Sequence, residues 1–383
     1  MTSPKSSAQP VANTDPVRVM VVDDAVVARG LMTRWLDADP ELAVVETSRT
    51  GKLAVDAVER VAPDVIVLDI EMPDMDGLTA LPLLLQKRPG VQIVMASTLT
   101  RRNAEISLKA LSLGAADYLP KPESNSGVST SSEFRTDLIA KVKALGVRGK
   151  RTARRASMAN APGVRTARPA VPAGPATNTL GPMRRWSPAA PRVVVIGSST
   201  GGPQALSKVV TALGVIDVRV PILITQHMPA TFTAILAENL SKASGIPAAE
   251  GRDGEPVKPG QIYVAPGGKH MIVEPDGLGV RIVLTDGPPV NFCKPAVDPL
   301  FESVARNYGP AVLAAVLTGM GNDGGKGALA IANAGGSVIA QDEKTSVVWG
   351  MPQAVVEEKA CSAVLPIDDV AATIARILKG GRP

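Results

Sequence analysis

The chain has 383 residues, 45% of them apolar and only 3% aromatic, which predicts two or three domains with mainly aliphatic cores. Its net charge of +5 comes from one segment, because residues 148–192 carry 10 Lys and Arg and no acidic residue while the rest is net negative. Charge confined to one segment, with few aromatic rings to stack on bases, argues against a nucleic-acid-binding protein, and two cysteines exclude a disulfide framework.

Residues 1–16 form a polar N-terminal segment without the apolar core of a secretory signal, and we expect a disordered tail. The chain also lacks an apolar run of the ~18 residues that a membrane-spanning helix needs. Together with the low cysteine content, these features predict a cytoplasmic protein that does not insert into membranes.

Residues 17–147 alternate short apolar strands with helices five times, which predicts a flavodoxin-like α/β domain. The predicted strands are Val17–Val22, Leu42–Glu46, Val65–Leu68, Val91–Ala96 and Ala115–Leu119. The predicted helices are Ala25–Leu36, Gly51–Val61, Gly77–Gln86, Glu105–Leu113 and a last helix from Ser132 or Glu133 to Leu145.

Acidic side chains stand at the ends of two of these strands. Asp23 and Asp24 follow the first strand, and Asp69 follows the third. Because parallel strands present their carboxyl ends at one edge, the three carboxylates would converge and repel one another unless a hard cation lies between them. Mg²⁺ is the expected occupant, with Ser97 offering a hydroxyl and Lys121 a cation to a phosphoryl group. The alternative is that these acids are separate caps and turns.

Residues 148–191 are rich in Ala, Pro, Arg, Gly and Thr and show almost no apolar periodicity, which is typical of a disordered linker. We expect its basic charge to serve solvation. The alternative is that the linker contacts an acidic surface, such as the acidic face of the preceding domain.

Residues 192–383 alternate strands and helices again, which predicts a second, doubly wound α/β domain with an inserted β-hairpin. The predicted strands are Val193–Ile196, Pro221–Thr225, Gly260–Ala265, Met271–Glu274, Val280–Leu284, Ala311–Leu317 and Ser337–Ala340. The predicted helices are Pro203–Leu213, Thr231–Lys242, Asp298–Asn307, Asp323–Ala334, Gln353–Glu357 and Ile367–Leu378.

Three strand ends of this second domain carry side chains that suit nucleophilic catalysis. The first strand leads into Ser198 and Ser199 on a glycine-rich turn before a helix, where the helix N-terminus favours negative charge. His227 and Asp323 follow two other strands, so a base and an orienting acid are expected at the same edge. A glycine-rich turn without catalytic function is the alternative. His270 is a second candidate base, but it follows a loop near the hairpin.

The motifs GSSTGG, TQHMP and TGMGNDG, in this order behind the first domain, resemble those of the CheB family of chemotaxis protein-glutamate methylesterases. The resemblance implies a hydrolase-type domain in which Ser199 is the nucleophile, His227 the base and Asp323 the orienting acid. Ser198 stands where the family commonly has alanine, so the choice between the two serines depends on the register of the motif.

The first domain resembles a response-regulator receiver through its paired acids, the run DIEMPDMDG and a Lys-Pro pair. The resemblance implies that Asp69 accepts a phosphoryl group and that Asp24 and Asp69 bind Mg²⁺, with Asp23 nearby. Ser97 then takes the position of the switch hydroxyl, and Lys121 contacts the phosphoryl group. A carboxylate can attack phosphorus without a base because it is already ionised.

The resemblance implies a phosphorylation-gated serine hydrolase that releases methanol from glutamate methyl esters on methyl-accepting chemoreceptors and also deamidates receptor glutamines. A chemotaxis histidine kinase would supply the phosphoryl group. Mg²⁺ would serve phosphorylation of the receiver, and ester hydrolysis would need no cofactor. We expect the resting receiver to lie over the edge that holds the catalytic side chains, and phosphorylation to favour the open arrangement.

Two other functions fit parts of the sequence. GSSTGG would serve as the phosphate cradle of a nucleotide-binding module, although neither G-x-x-x-x-G-K-[ST] nor G-x-G-x-x-G accompanies it. The second is an output domain that docks on a partner without catalysis. Labelling by an active-site serine probe would exclude that function.

Overall fold

The structure is a computed structural model that describes residues 15–121, 128–159, 183–277 and 279–381. Residues 1–14 of the predicted disordered tail and residues 160–182 of the predicted disordered linker lie outside these ranges. In the described ranges, no helix combines the length and the apolar character needed to cross a membrane.

The first domain is a parallel five-stranded sheet between two layers of helices, as predicted. Its strands are β1 (Val17–Val22), β2 (Leu42–Ser48), β3 (Val65–Asp69), β4 (Gln92–Thr98) and β5 (Asp117–Lys121). Its helices are α1 (Val26–Asp37), α2 (Gly51–Val61), α3 (Gly77–Lys87), α4 (Arg101–Ser112) and α5 (Val128–Ala159). The strand order β2-β1-β3-β4-β5 is the flavodoxin-like order. Both faces are covered, so the strands are apolar without alternation.

The second domain is built on a seven-stranded parallel sheet. Its strands and those of its hairpin are β6 (Val193–Ser198), β7 (Ile222–Gln226), β8 (Ala248–Glu250), β9 (Ile262–Val264), β10 (His270–Asp276), β11 (Gly279–Thr285), β12 (Val312–Val316), β13 (Ser337–Gln341) and β14 (Ala363–Leu365). Its helices are α6 (Gly202–Leu213), α7 (Ala230–Ser244), α8 (Val297–Tyr308), α9 (Gly325–Asn333), α10 (Gly350–Glu357) and α11 (Ile367–Leu378), with a 3₁₀ turn at Gly309–Ala311.

The order of strands in this sheet, β14-β13-β12-β6-β7-β9-β8, creates a central switch point between β6 and β12. From β6 the chain winds outward in one direction, and from β12 it winds outward in the other. Ligands of open α/β sheets bind outside the carboxyl ends of the strands at such a point. The predicted catalytic residues follow β6, β7 and β12, so the topology brings them to this position.

The inserted hairpin is confirmed, because β10 and β11 pair in antiparallel register from His270 and Thr285 to Asp276 and Gly279. The edge strands β8 and β14 were not predicted. Each has only three residues, which is too short for a recognisable pattern of alternation.

The boundaries of the linker differ from the prediction. Helix α5 ends at Ala159 rather than at Leu145, so the prediction of disorder is wrong over residues 148–159. That stretch is rich in Arg, Lys and Ala, which favour helix even without an apolar stripe. At the other end, the backbone of Arg184 donates to the carbonyl of Cys361 at 2.8 Å, so residues 183–191 lie against the second domain.

The two domains pack against each other through β5 and α4 of the first and α6 and α7 of the second. The ring of Tyr118 stacks on that of Phe232, with 4.3 Å between the centroids. Gln204 Nε2 donates to the carbonyl oxygens of Ala115 and Leu111 at 2.6 and 3.1 Å. The first domain therefore lies against α6, the helix that begins three residues after Ser199.

Candidate active site

The two adjacent serines have different environments at the end of β6. Ser198 is fully buried, and its hydroxyl donates to Gln226 Oε1 at 2.6 Å. Ser199 lies in the turn before α6 and is half-buried, and its carbonyl oxygen accepts from Gln226 Nε2 at 2.9 Å. Gln226 therefore accepts the hydrogen bond of the Ser198 hydroxyl and donates one to the backbone carbonyl of Ser199. This geometry favours Ser199 as the serine that meets a substrate.

The base and acid are in direct contact. His227 Nε2 lies 2.7 Å from Asp323 Oδ2. The buried Asp323 carboxylate also accepts from the backbone N–H groups of Val297 and Asp298, at 2.5 and 3.1 Å, and from Asn291 Nδ2 at 3.2 Å. Four donors from three segments of chain therefore fix the position of the acid, and the acid fixes the plane of the imidazole.

The acid–base pair is stabilised as an ion pair. Burial by itself lowers the pKa of His227, but the hydrogen bonds to Asp323 and Cys293 outweigh burial and raise it to about 10. Burial raises the pKa of Asp323, but the contacts with His227 and the two backbone donors outweigh burial and place it below its ordinary value. The imidazole must lose its proton before it can accept one from a serine hydroxyl.

Cys293 contacts the other ring nitrogen of His227, because its Sγ lies 3.3 Å from Nδ1. Since Nε2 faces Asp323, Nδ1 is the nitrogen that is left to accept the proton of Ser199. In this arrangement the sulfur is the group in contact with Nδ1.

Sequence reasoning missed Asp298, Asn291 and Cys293. Asp298 Oδ1 accepts from the backbone of Gly324 and Gly327 at 3.0 and 2.7 Å, which holds the turn after Asp323. Asn291 Nδ2 bridges the two buried carboxylates. The sequence showed only an acidic residue in the first turn of a predicted helix and a short loop before it. No spacing in the sequence predicted that this loop would contact the end of β7.

His270 has a structural position rather than a catalytic one. It is buried, its Nδ1 accepts from the backbone N–H of Ala296 at 3.2 Å, and its Nε2 therefore carries the proton and donates to the carbonyl of Pro288 at 3.0 Å. The side chain closes the loop between β11 and α8. His227, not His270, contacts the acid.

The acidic cluster of the first domain forms as predicted. Asp23, Asp24 and Asp69 place carboxylate oxygens within 4.8 Å of one another. Lys121 Nζ lies 2.7 Å from Asp23 Oδ2 and 2.8 Å from Asp69 Oδ2. Burial raises the pKa of Asp69 to about 6, with Lys121 acting in the opposite direction, so the carboxylate is ionised at neutral pH.

Ser97 lies at the same edge of the sheet, next to the last residue of β4. Its neighbour Ala96 is the register partner of Asp69, and Ser97 itself pairs with Pro120, next to Lys121. Its buried hydroxyl is hydrogen-bonded to that of Ser107 at 3.1 Å. A role as the switch hydroxyl remains a proposal.

Comparison with known proteins finds two family models on this chain. Residues 194–374 match the CheB methylesterase model, and residues 19–130 match the response regulator receiver domain. A Bradyrhizobium diazoefficiens protein named protein-glutamate methylesterase/protein-glutamine glutaminase of group 2 operon is 56% identical, over 96% of this chain and 95% of its own length.

Two further proteins are similar to this chain. An Azospirillum brasilense protein-glutamate methylesterase/protein-glutamine glutaminase is 51% identical, over 94% of this chain and 92% of its own length. The crystal structure of the Thermotoga maritima CheB methylesterase catalytic domain is 38% identical, covers 49% of this chain and 100% of that domain, and superposes with a TM-score of 0.47.

We predict that the two serine substitutions separate catalysis from packing. Ser199→Ala should lower hydrolysis of a small carboxylic ester by about 10⁴-fold or more, because it removes the nucleophile. Ser198→Ala should keep the rate within about threefold but lower the free energy of unfolding by about 1–3 kcal/mol, because buried Gln226 Oε1 loses its donor. Ester kinetics and chemical denaturation measure both effects. A dead Ser198→Ala with an active Ser199→Ala would reverse the assignment.

We predict that Cys293→Ala moves the pH–rate profile of small-ester hydrolysis to lower pH. The raised pKa of His227 keeps the ring protonated up to about pH 10, so activity should rise with pH in that range. Removing the sulfur removes one of the two side chains that raise this pKa. Cys361→Ala is the matched control, because Cys361 is buried away from the base, and its profile should keep the wild-type midpoint. An unchanged midpoint in Cys293→Ala would show that the sulfur does not act on the base.

Proposed function

This chain belongs to the CheB family of protein-glutamate methylesterases/protein-glutamine glutaminases, and we propose that it hydrolyses glutamate methyl esters on chemoreceptors with Ser199, His227 and Asp323. The observation that carries this assignment is the His227–Asp323 pair at the switch point of the sheet, beside a half-exposed serine. Its receiver domain makes it a response regulator as well as a hydrolase.

In the proposed mechanism, Ser199 attacks the ester carbonyl as His227 Nδ1 takes its proton. Asp323 holds the imidazole and stabilises its charge. Helix α6 begins at Gly202, three residues after Ser199, so the dipole at its N-terminus favours the oxyanion of the tetrahedral intermediate. His227 returns the proton to the leaving methanol, and water then hydrolyses the acyl-enzyme. A glutamine side chain passes through the same intermediate and releases ammonia.

The acidic cluster suits phosphorylation at Asp69. Three carboxylates whose oxygens lie within 4.8 Å are hard donors of the kind that Mg²⁺ prefers. Asp24 and Asp69 would hold the ion with Asp23 nearby, and the ion would neutralise charge on the phosphoryl oxygens. The ionised Asp69 attacks phosphorus, and Lys121 is placed to contact the transferred group.

A kinase phosphodonor and a chemoreceptor substrate are the general partners of this architecture. We propose a chemotaxis histidine kinase and methyl-accepting chemoreceptors, reached from the cytoplasm without membrane insertion. Contacts between the two domains support control of the hydrolase domain by the receiver.

The contact nearest to the nucleophile joins the two domains directly. Thr200 Oγ1 donates to Asp117 Oδ2 at 2.8 Å, and both side chains are buried. Asp117 begins β5, and the same five-residue strand ends at Lys121, which pairs with Asp69. A phosphoryl group on Asp69 would draw Lys121 toward its oxygens and shift the strand that holds Thr200. The geometry supports a receiver that restrains the turn of Ser199 at rest.

The experiment that tests the function is methanol release from methylated receptor membranes. The wild-type protein should release methanol, and Ser199→Ala should not. Absence of release by the phosphorylated wild-type protein, together with binding of labelled nucleotide, would instead favour the nucleotide-binding module.

We predict that Asp69→Asn abolishes phosphorylation by acetyl phosphate and the stimulation of ester hydrolysis that follows. The amide lacks the anionic oxygen that attacks phosphorus. Removal of Mg²⁺ with EDTA should block labelling of the wild-type protein. Radiolabelled phosphoryl transfer measures both effects. Persistent labelling of Asp69→Asn would move the phosphorylation site to another carboxylate.

We predict that Gln204→Ala raises the basal ester hydrolysis of the unphosphorylated full chain several-fold and reduces its stimulation by acetyl phosphate. The substitution removes two interdomain hydrogen bonds and shifts the population toward open arrangements. Arg101→Ala should act in the same direction because Arg101 pairs with Glu238 across the interface, at 3.1 Å. Arg281→Ala, which breaks a pair within the hairpin, is the matched control. Unchanged basal activity in both interface variants would show that this contact does not inhibit.

A further inference from the structure

The loop Pro288–Ala296, here called the strap, joins β11 to α8 beside the catalytic base. His270 bonds to both of its ends, at the carbonyl of Pro288 and the N–H of Ala296. Within it, Asn291 bonds to Asp323, and Cys293 contacts His227. The strap is therefore held at its ends and its middle, and it has a defined position relative to the base.

The centre of the strap is a tight four-residue turn. The backbones of Val290 and Cys293 exchange two hydrogen bonds, at 3.1 and 2.9 Å. The two central residues, Asn291 and Phe292, have φ of 51° and 63°, as in a type I′ turn. Asn suits the first position and glycine the second, because a side chain at positive φ is strained. Phenylalanine stands where the backbone favours glycine.

Nothing in the described part of the chain compensates for this strain by packing, because the Phe292 side chain is fully exposed. Every other aromatic side chain is buried or half-buried. The ring also stays uncovered with the receiver docked, so it is free in the resting arrangement. A fully exposed aromatic side chain on a strained backbone turn, next to a residue that contacts the base, points to a role in binding.

We propose that Phe292 is a specificity-determining residue that contacts an apolar side chain of the polypeptide carrying the esterified glutamate. The proposal rests on the proposed function and adds to it a contact outside the reacting group. Cys293, the next residue, lies 3.3 Å from His227 Nδ1, so the exposed Phe292 is one residue away from a direct contact with the base. On a helical substrate, a side chain three or four residues from the glutamate lies on the same face and about one turn away.

Because the turn fixes the backbone of Phe292, a single aromatic ring is enough for the proposed contact. An aromatic side chain offers a large apolar surface and has few rotatable bonds to order on binding. The charged neighbour Lys294 is paired with Asp286 and so leaves the ring as the apolar feature of the rim. Phe292 thus selects an ester on a helix with a nearby apolar residue over a free glutamate ester.

The test compares two substrates with the full-length protein. For methylated receptor membranes and for N-acetylglutamate γ-methyl ester amide, kcat/KM is measured by methanol release. Phe292→Gly, which suits the turn, and Phe292→Ala should each lower the ratio of the two values by about tenfold, mainly through KM for the receptor. Phe292→Tyr should restore the wild-type ratio. Val215→Ala, which alters an exposed apolar residue elsewhere, should keep the wild-type ratio.

A second arm uses the substrate side. Replacing the apolar receptor residue one helical turn from the esterified glutamate with alanine should lower kcat/KM for the wild-type enzyme and cause no further loss for Phe292→Gly. An unchanged ratio in Phe292→Gly, or equal losses on both substrates, would overturn the proposal. A wild-type protein that hydrolyses the small ester but releases no methanol from receptors would instead overturn the proposed function.

Discussion

The buried carboxylate of Asp323 is the group on which the rest of the active site depends. It follows β12, receives the base from the end of β7, and receives two backbone N–H groups from the start of α8. A buried charge is stable only when its oxygens are fully hydrogen-bonded. The same donors that stabilise Asp323 therefore also assemble the site, because they bring three distant segments to one point.

The cost of this arrangement is a base that holds its proton tightly. The pKa of His227 is raised to about 10 by the acid and by the Cys293 sulfur, in spite of its burial. A pKa this high favours the protonated ring at neutral pH, and Nδ1 lies 3.3 Å from the Cys293 sulfur. In the proposed mechanism, His227 must lose both the proton and this contact before it accepts the proton of Ser199, so the strap that carries Cys293 takes part in the proposed catalysis.

Strand β5 connects the two halves of the protein over a short distance. Its Asp117 end bonds to Thr200, its Tyr118 ring stacks on Phe232, and its Lys121 end pairs with Asp69. We propose that a change of charge at the Lys121 end of this strand shifts the contact at its Asp117 end. Gating of this kind needs only a modest difference in free energy between docked and open arrangements.

Much of this protein was determined by local sequence. Apolar runs of strand length, helical periodicity and the polar residues at strand ends predicted two α/β domains, the acidic cluster and one sheet edge that carries a serine, His227 and Asp323. The choice of Ser199 over Ser198 came from the family resemblance. These features depend on near neighbours in the chain and on the rule that parallel strands end at one edge. The extent of α5, which runs to Ala159, was not predicted, because a basic stretch without an apolar stripe has the composition of a linker.

Tertiary structure alone decided which groups meet. The sequence places Cys293 and Asn291 in a short polar loop, and only the packing of that loop against β7 and β12 brings them to His227 and Asp323. Likewise, the contact of Thr200 with Asp117 joins residues 83 positions apart. Such contacts arise from the way separate elements are packed, and no periodicity or spacing encodes them. The sequence indicated the candidate catalytic groups, and the tertiary structure decided which contacts hold them in place.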